Sequence, residues 1–237
     1  MSGWKVKRFW KETAVAEAEG GFTVTLDGKP IRTPAKAPLT VPTRAFAEAI
    51  AEEWAAQADE IRPETMPLTR SANAAIDKVT AQFDEVAALI VAYGETDLLC
   101  YRAEGPESLV RRQAEAWDPL LDWAAGALGA RLHPVAGIMH QPQEAAALAA
   151  LTEATRAFSA FELAAFHDLV ALSGSLILAF AAARGARRPE ALWEVSQVDE
   201  EWQAGQWGKD DQACANTALK RQAFLDAARV FSLLGQS

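Results

Sequence analysis

The chain has 237 residues, half of them hydrophobic, and a formal net charge of −9. That supports one large domain or two small ones with a sizeable core, and it excludes wholesale disorder. The charge is uneven: residues 1–44 carry eight Lys or Arg against four acids, and residues 45–237 carry 15 against 28, so the body is expected to repel nucleic acid.

The N-terminal MSGWKVKRFW has no apolar h-region and no cleavage pattern, so no secretory signal is expected. Lys5, Lys7, Arg8 and Lys11 suit a guarded edge strand or a contact with an anionic partner. Phe22, Val24 and Leu26 then alternate with Thr23 and Thr25, a period of two. Asp27-Gly28 follows as a favoured hairpin turn. Ile31 and Thr33 continue in the returning strand, which Pro30 and Pro34 place at an edge. Gly20-Gly21 marks an earlier turn, and residues 39–41 form a short strand before Pro42.

Helical spacing takes over at Phe46, Ile50 and Trp54, behind a Thr43 cap. Pro63 and Pro67 break that helix, and residues 71–92 are helical again. Gly94 interrupts before residues 96–101, whose pattern favours no element. Pro106 opens a helix to about residue 128, with a kink expected at Pro119. Pro142 opens another to about residue 158. Ser159-Ala160-Phe161-Glu162 has the capping-box pattern and opens an apolar helix ending near Arg184. Pro189 opens a helix through about Ala204. Asp210 or Asp211 caps the last helix, with Cys214, Ala218, Leu225 and Ala228 on one stripe. The expected class is therefore α+β. A small N-terminal antiparallel β domain with the first helix covers residues 1–60, and a larger α-helical domain covers residues 61–237. The longest apolar run, residues 169–183, is interrupted by Ser173-Gly174-Ser175 and falls short of the ~20 residues a bilayer needs. It reads as a buried core helix, with no membrane insertion.

Motifs for chemistry are sparse. There is no GxGxxG, P-loop, GxSxG or HExxH. His133 and His140 are separated by a Pro- and Gly-containing segment instead of sharing a helix face, so no metal site is expected. Cys100 and Cys214 form no CxxC and build no disulfide framework. They suggest a reducing compartment, and each reads as a small buried hydrophobe. Ser173 and Ser175 would need a base to act as nucleophiles, and only His167 is within two turns. The alternative is small residues that let helices approach closely.

The densest polar cluster is Asp199-Glu200-Glu201-Trp202, followed by Trp207. From Glu190 to Asp211 there are seven acids against Lys209 alone. Three consecutive carboxylates fan over about 200° of a helix surface. They therefore do not aim two groups at one bond, as acid–base catalysis would require. Acids flanked by tryptophans suit a face that grips a basic protein partner. The same residues also fit a solvated helix face with core tryptophans.

Five segments, in order along nearly the whole chain, resemble a known family. They are Leu26-Asp27-Gly28-Lys29-Pro30-Ile31-Arg32-Thr33-Pro34; Glu53-Trp54 with the IRPETMPLTR stretch at 61–70; Thr96-Asp97-Leu98-Leu99-Cys100-Tyr101-Arg102; Trp117-Asp118-Pro119-Leu120-Leu121; and Ser196-Gln197-Val198-Asp199-Glu200-Glu201-Trp202-Gln203 with Trp207-Gly208. Together these resemble the soluble assembly chaperones that handle the alpha subunit of F1-ATPase in mitochondria and related bacteria. The resemblance implies a β domain joined to a helical one, no enzymatic activity and no cofactor. It also implies a chaperone that holds free alpha subunit until the beta subunit arrives. The family's important acidic residue falls on Glu201 or Glu200. The expected partner-binding set is Glu201, Glu200, Asp199, Trp202 and Trp207, with Arg32 in a second patch. The absence of a presequence favours a bacterial member acting in the cytoplasm, and a monomer is expected. The competing readings are a carboxylate-dependent hydrolase using Glu200 or Glu201, and a helical scaffold for another partner.

Overall fold

Strands β1 (Thr13–Ala18) and β2 (Gly21–Leu26) pair antiparallel, in a register that sets Thr13 against Leu26 and Ala18 against Gly21. The computed structural model describes residues 7–137, 139–208 and 211–235. Gly21 is required where it stands: a Cβ there would lie 2.2 Å from the Val41 carbonyl oxygen. Asp27 and Gly28 both have positive φ, 48° and 78°. This type I′ geometry turns β2 into β3 (Lys29–Pro30). The Asp27 carboxylate accepts from the Glu12 and Lys11 amides at 2.9 and 3.0 Å, and these bonds hold its pKa below the usual carboxylate range. Strand β4 (Thr40–Val41) pairs with the other end of β2. The threonines of β2 are buried along with Val24 and Leu26, so the expected alternation of polar and apolar faces is not one of wet and dry. Thr23 resolves its burial by donating to the Leu39 carbonyl at 2.7 Å.

Helix α1 (Arg44–Ala55) begins at the predicted cap. Thr43 Oγ1 accepts from the Phe46 amide and donates to the Leu233 carbonyl. Its buried face, with Phe46 and Ile50, closes a core with Val24, Leu39, Val41 and Leu68. Glu53, further along the same face of α1, accepts from the amides of Leu68 and Thr69 at 2.7 and 2.8 Å and from Thr69 Oγ1 at 2.6 Å. It thus caps the N-terminus of α2 (Pro67–Ala74) from outside that helix, which itself supplies no side-chain cap. Replacing Glu53 with Ala should lower stability by about 2 kcal/mol, read from the urea midpoint. Glu53→Gln should recover part of the loss.

Residues 71–92 do not form one helix. A π-turn (Ala75–Val79) follows α2, because Thr80 reaches back to the Ala75 carbonyl through both its amide and its hydroxyl. Helix α3 (Phe83–Val91) starts afresh. The first compact unit runs through Phe83 and adds Ala160–Ala165 and the chain from Arg229. It therefore reaches beyond the 1–60 span suggested by local patterning.

The second unit is Asp84–Ser159 with Phe166–Ala228. Two short 3-10 turns lead into β5 (Tyr101–Arg102), which pairs parallel with β6 (Val135–Ala136). Pro106 caps α4 (Glu107–Ala127) from just outside it, and Pro119 sits within the helix. Helix α5 (Ala145–Arg156) begins three residues after Pro142. The long apolar helix expected to end near Arg184 is instead two, α6 (Ala160–Ser173) and α7 (Leu176–Ala183). Gly174, at φ 71°, ends the first. Ser175 is extended and accepts from the Leu178 amide at 3.0 Å, capping the second. The Ser173-Gly174-Ser175 segment is thus a helix break. Phe158, Phe166 of α6 and Phe180 of α7 pack together with ring centroids 4.6–5.9 Å apart.

The helix expected from Pro189 to Ala204 also divides, into α8 (Pro189–Ser196) and α9 (Val198–Trp207), with Gln197 leaving helical geometry between them. Helix α10 (Asp211–Leu234) completes the chain. The architecture is α+β: a small N-terminal antiparallel sheet followed by a larger helical part. No helix among the described residues is long and apolar enough to cross a membrane.

Candidate functional site

Helix α9 carries the acidic cluster, and α4 backs it. The apolar stripe of α4 includes Trp117, Leu120, Leu121 and Ala124, and one polar residue, Gln113, shares their burial. Both ends of the Gln113 amide are engaged. Its Oε1 accepts from the Ala103 amide at 2.8 Å, and its Nε2 donates to Asp199 Oδ1 at 2.7 Å. Arg112, its neighbour, forms an ion pair with Glu201. Trp117, 0% exposed, donates from Nε1 to the Val195 carbonyl at 2.9 Å, tying α4 to α8. Arg102 lies over the Trp117 ring and pairs with Asp118 at 2.7 Å. The Trp117-Asp118 and Tyr101-Arg102 segments therefore form one support under α8, which leads into α9.

The three consecutive acids have different fates. Asp199 is half-buried and held by Gln113, while Glu201 is exposed but paired with Arg112. Glu200 is exposed and has no hydrogen-bond or ion-pair partner among the described residues. Trp202 is half-buried. Trp207 closes α9, and its side chain lies outside the described residues. Arg32 lies in the first unit, exposed, donating to the Lys36 carbonyl at 2.8 Å beside a bridge to Pro38. The structure thus groups Asp199, Glu200, Glu201 and Trp202 on α9 and places Arg32 in the other unit.

Beside Glu200 and Glu201 lies an open groove of about 630 Å³, bordered by α8, α9 and the first half of α10. Ala204, Ala213, Cys214 and Ala218 give it small apolar walls. Cys214 and Ala218 were expected on a buried stripe, but both are exposed, as is the whole of α10 from residue 211 to 220. The buried stripe of this helix starts only at Phe224. Cys100 is the buried thiol, and burial pushes its pKa up to about 12, so it is inert.

The other polar groups serve structure. Asp97 is completely buried. Its carboxylate accepts from the Leu99 amide at 3.0 Å and from the Ile177 amide at 3.0 Å, at the N-terminus of α7. The histidines sit apart: His133 with Glu144, His140 with Tyr101, and His167 with Asp168. The Asp168 hydrogen bond raises the His167 pKa. Among the described residues no three His, Cys, Asp or Glu converge as a metal ion would require. Patterning missed Gln113, Arg112, Asp97 and Glu53. Only Gln113 left a sequence signal, a polar residue at a buried position of an apolar stripe.

A family model described as ATP12 chaperone protein matches residues 7–125. The protein atp12, mitochondrial, of Schizosaccharomyces pombe is 26% identical over 219 residues, covering 87% of this chain and 75% of its own length. Two solved structures of Paracoccus denitrificans Atp12, one of them an aspartate-to-lysine mutant, are 49% identical with a TM-score of 0.94. Each covers 98% of this chain and 100% of its own. The Atu1473 protein of Agrobacterium tumefaciens is 44% identical, with a TM-score of 0.92 over 96% of this chain and 86% of its own.

Proposed function

Because the chain belongs to the ATP12 family of F1-ATPase assembly chaperones, we propose that the F1 partner it holds is the free alpha subunit. The observation that carries this reading beyond the family is the acidic, solvent-facing helix α9 beside an open apolar groove. A free subunit exposes surfaces that normally meet its neighbours, and apolar patches of that size aggregate. A chaperone need only cover such a patch with moderate affinity and leave when the true neighbour binds. Charges at the rim suit this, since they speed association without locking the complex. Asp199, Glu200, Glu201, Trp202 and Trp207 form the gripping face in this reading, and Arg32 contributes a second patch from the first unit. The chain acts as a monomer in an aqueous compartment, the cytoplasm in a bacterium.

The hydrolase reading has no support in the geometry. Glu200 and Glu201 are both exposed, and Glu201 is neutralised by Arg112. Neither faces a second carboxylate across a closed cleft, as general acid–base work needs. The family is one of chaperones, not of enzymes.

The test is light scattering of isolated F1 alpha subunit, alone and with this chain. Wild type should suppress aggregation at near-equimolar ratio, and the beta subunit should then release alpha. Reversing Glu200 and Glu201 together to Lys should weaken capture by about tenfold or more. The helical circular dichroism should not change, because exposed pairs contribute only about 0–1 kcal/mol. Full suppression by the double reversal would remove α9 from the gripping face.

A further inference from the structure

The groove beside α9 is built as a trough between two helices. Ala204 stands on one side and Ala213, Cys214 and Ala218 on the other, with Trp193 of α8 also lining it. Residues 213 to 218 advance about 8 Å along α10, the scale of one and a half helical turns. Small side chains on both walls leave room for larger ones from outside. A small-molecule site would instead enclose most of its ligand's surface. The open trough with helical walls matches the mode in which a protein segment lays an apolar face into a groove.

Charge identifies the segment further. Three carboxylates line the groove, Glu194, Glu200 and Glu201, against one cation, Arg221. Arg112 satisfies Glu201 from the α4 side. Glu194 and Glu200 make no ion pair among the described residues. Among the described residues the free charge of the trough is therefore negative, and Glu200 is the member on α9 that no partner there uses.

We propose that this groove seats an apolar segment of the F1 partner that carries a Lys or Arg. The cation meets Glu200, and the apolar side chains lie on Ala204, Ala213, Cys214 and Ala218. The inference rests on the reading that the chain holds the alpha subunit. Within the gripping face it assigns the cation contact to Glu200, while Asp199 and Glu201 also fix α9 on α4.

Cys214 supplies the test, being the exposed thiol in the trough while Cys100 is buried and inert. The full chain is reacted with a maleimide, alone and with alpha subunit at about ten times the Kd. Alpha-subunit thiols are blocked beforehand. Occupancy should slow Cys214 modification about tenfold. In a Cys214→Ser, Leu219→Cys chain, the reporter moves to an exposed position that does not line the groove. There the rate should be unchanged by alpha. Glu200→Gln should weaken capture severalfold, and Glu201→Gln should weaken it less. If alpha co-elutes with the chain but Cys214 reacts at its free rate, the groove assignment is overturned and the chaperone reading stands. Equal loss from the two glutamine variants overturns the role given to Glu200. If wild type does not hold alpha at all, both readings fall.

Discussion

Replacing Trp117 with Ala should destabilise the second unit by about 5 kcal/mol, the largest loss expected of any single truncation in the chain. The indole is fully buried in the middle of α4. Its removal deletes the largest apolar group of that core. It also strips the Val195 carbonyl of its donor and leaves the Arg102 guanidinium without its aromatic face. The thermal midpoint should fall by roughly 10 °C or more. Trp117→Phe separates the contributions: it restores most of the volume but not the hydrogen bond, so about half the loss should return. The measurement is urea unfolding followed by circular dichroism. A deficit under about 1 kcal/mol for the alanine variant would refute the view that Trp117 ties α4 to α8. Because α8 leads into α9, the alanine variant should also lose alpha-subunit capture before it loses all helicity.

The second large effect is expected at Asp97. Its carboxylate takes two buried amides, Leu99 and Ile177, and the second belongs to the first turn of α7. Asp97→Ala would orphan both donors where water cannot reach them, at about 1–3 kcal/mol each. A total near 4 kcal/mol is expected in the urea midpoint. Asp97→Asn keeps an acceptor and should lose about half of that. Burial pushes the Asp97 pKa up against the opposing pull of these hydrogen bonds. A carboxyl raised by folding is protonated more readily in the folded chain than in the unfolded one. Its contribution to stability is therefore complete below about pH 4 and declines as pH climbs through the folded value. Asn does not titrate, so the deficit of Asp97→Asn relative to wild type should shrink between pH 4 and pH 7. A deficit that widens over that range would mean the ionised form is the favoured one.

Local features were the legible ones. The Asp27-Gly28 turn and the Thr43 cap depend on residues adjacent in sequence, and both are where patterning placed them. The break at Gly174 was misread because Ser173, Gly174 and Ser175 sit in an otherwise apolar helical run, and only the positive φ of Gly174 and the Ser175 cap reveal it. The break at Gln197 has no Gly or Pro to announce it. Asp97 offered less still, since its partner amide is 80 residues away. The candidate site divides the same way. Its charge and its tryptophans were visible in the composition of residues 190–211. Which acids are already engaged was not, because Gln113 and Arg112 meet Asp199 and Glu201 across 86 and 89 residues of chain.

The first ten residues of α10 bury no side chain, although Leu219 alone leaves 71% of its surface in water. Backbone hydrogen bonding, the intrinsic preference of its alanines and side-chain bonds such as that from Gln212 to Asn216 keep this stretch helical, and short segments gain little from each. Its amides should exchange with deuterium far sooner than those from Phe224 onward in the same helix, which open only with the core. Cargo that docks there must also quench these fluctuations, and that ordering consumes part of the free energy of contact. If the proposed docking holds, the grip is weak for its area and lets go quickly, so that handover by competition would need no input of chemical energy.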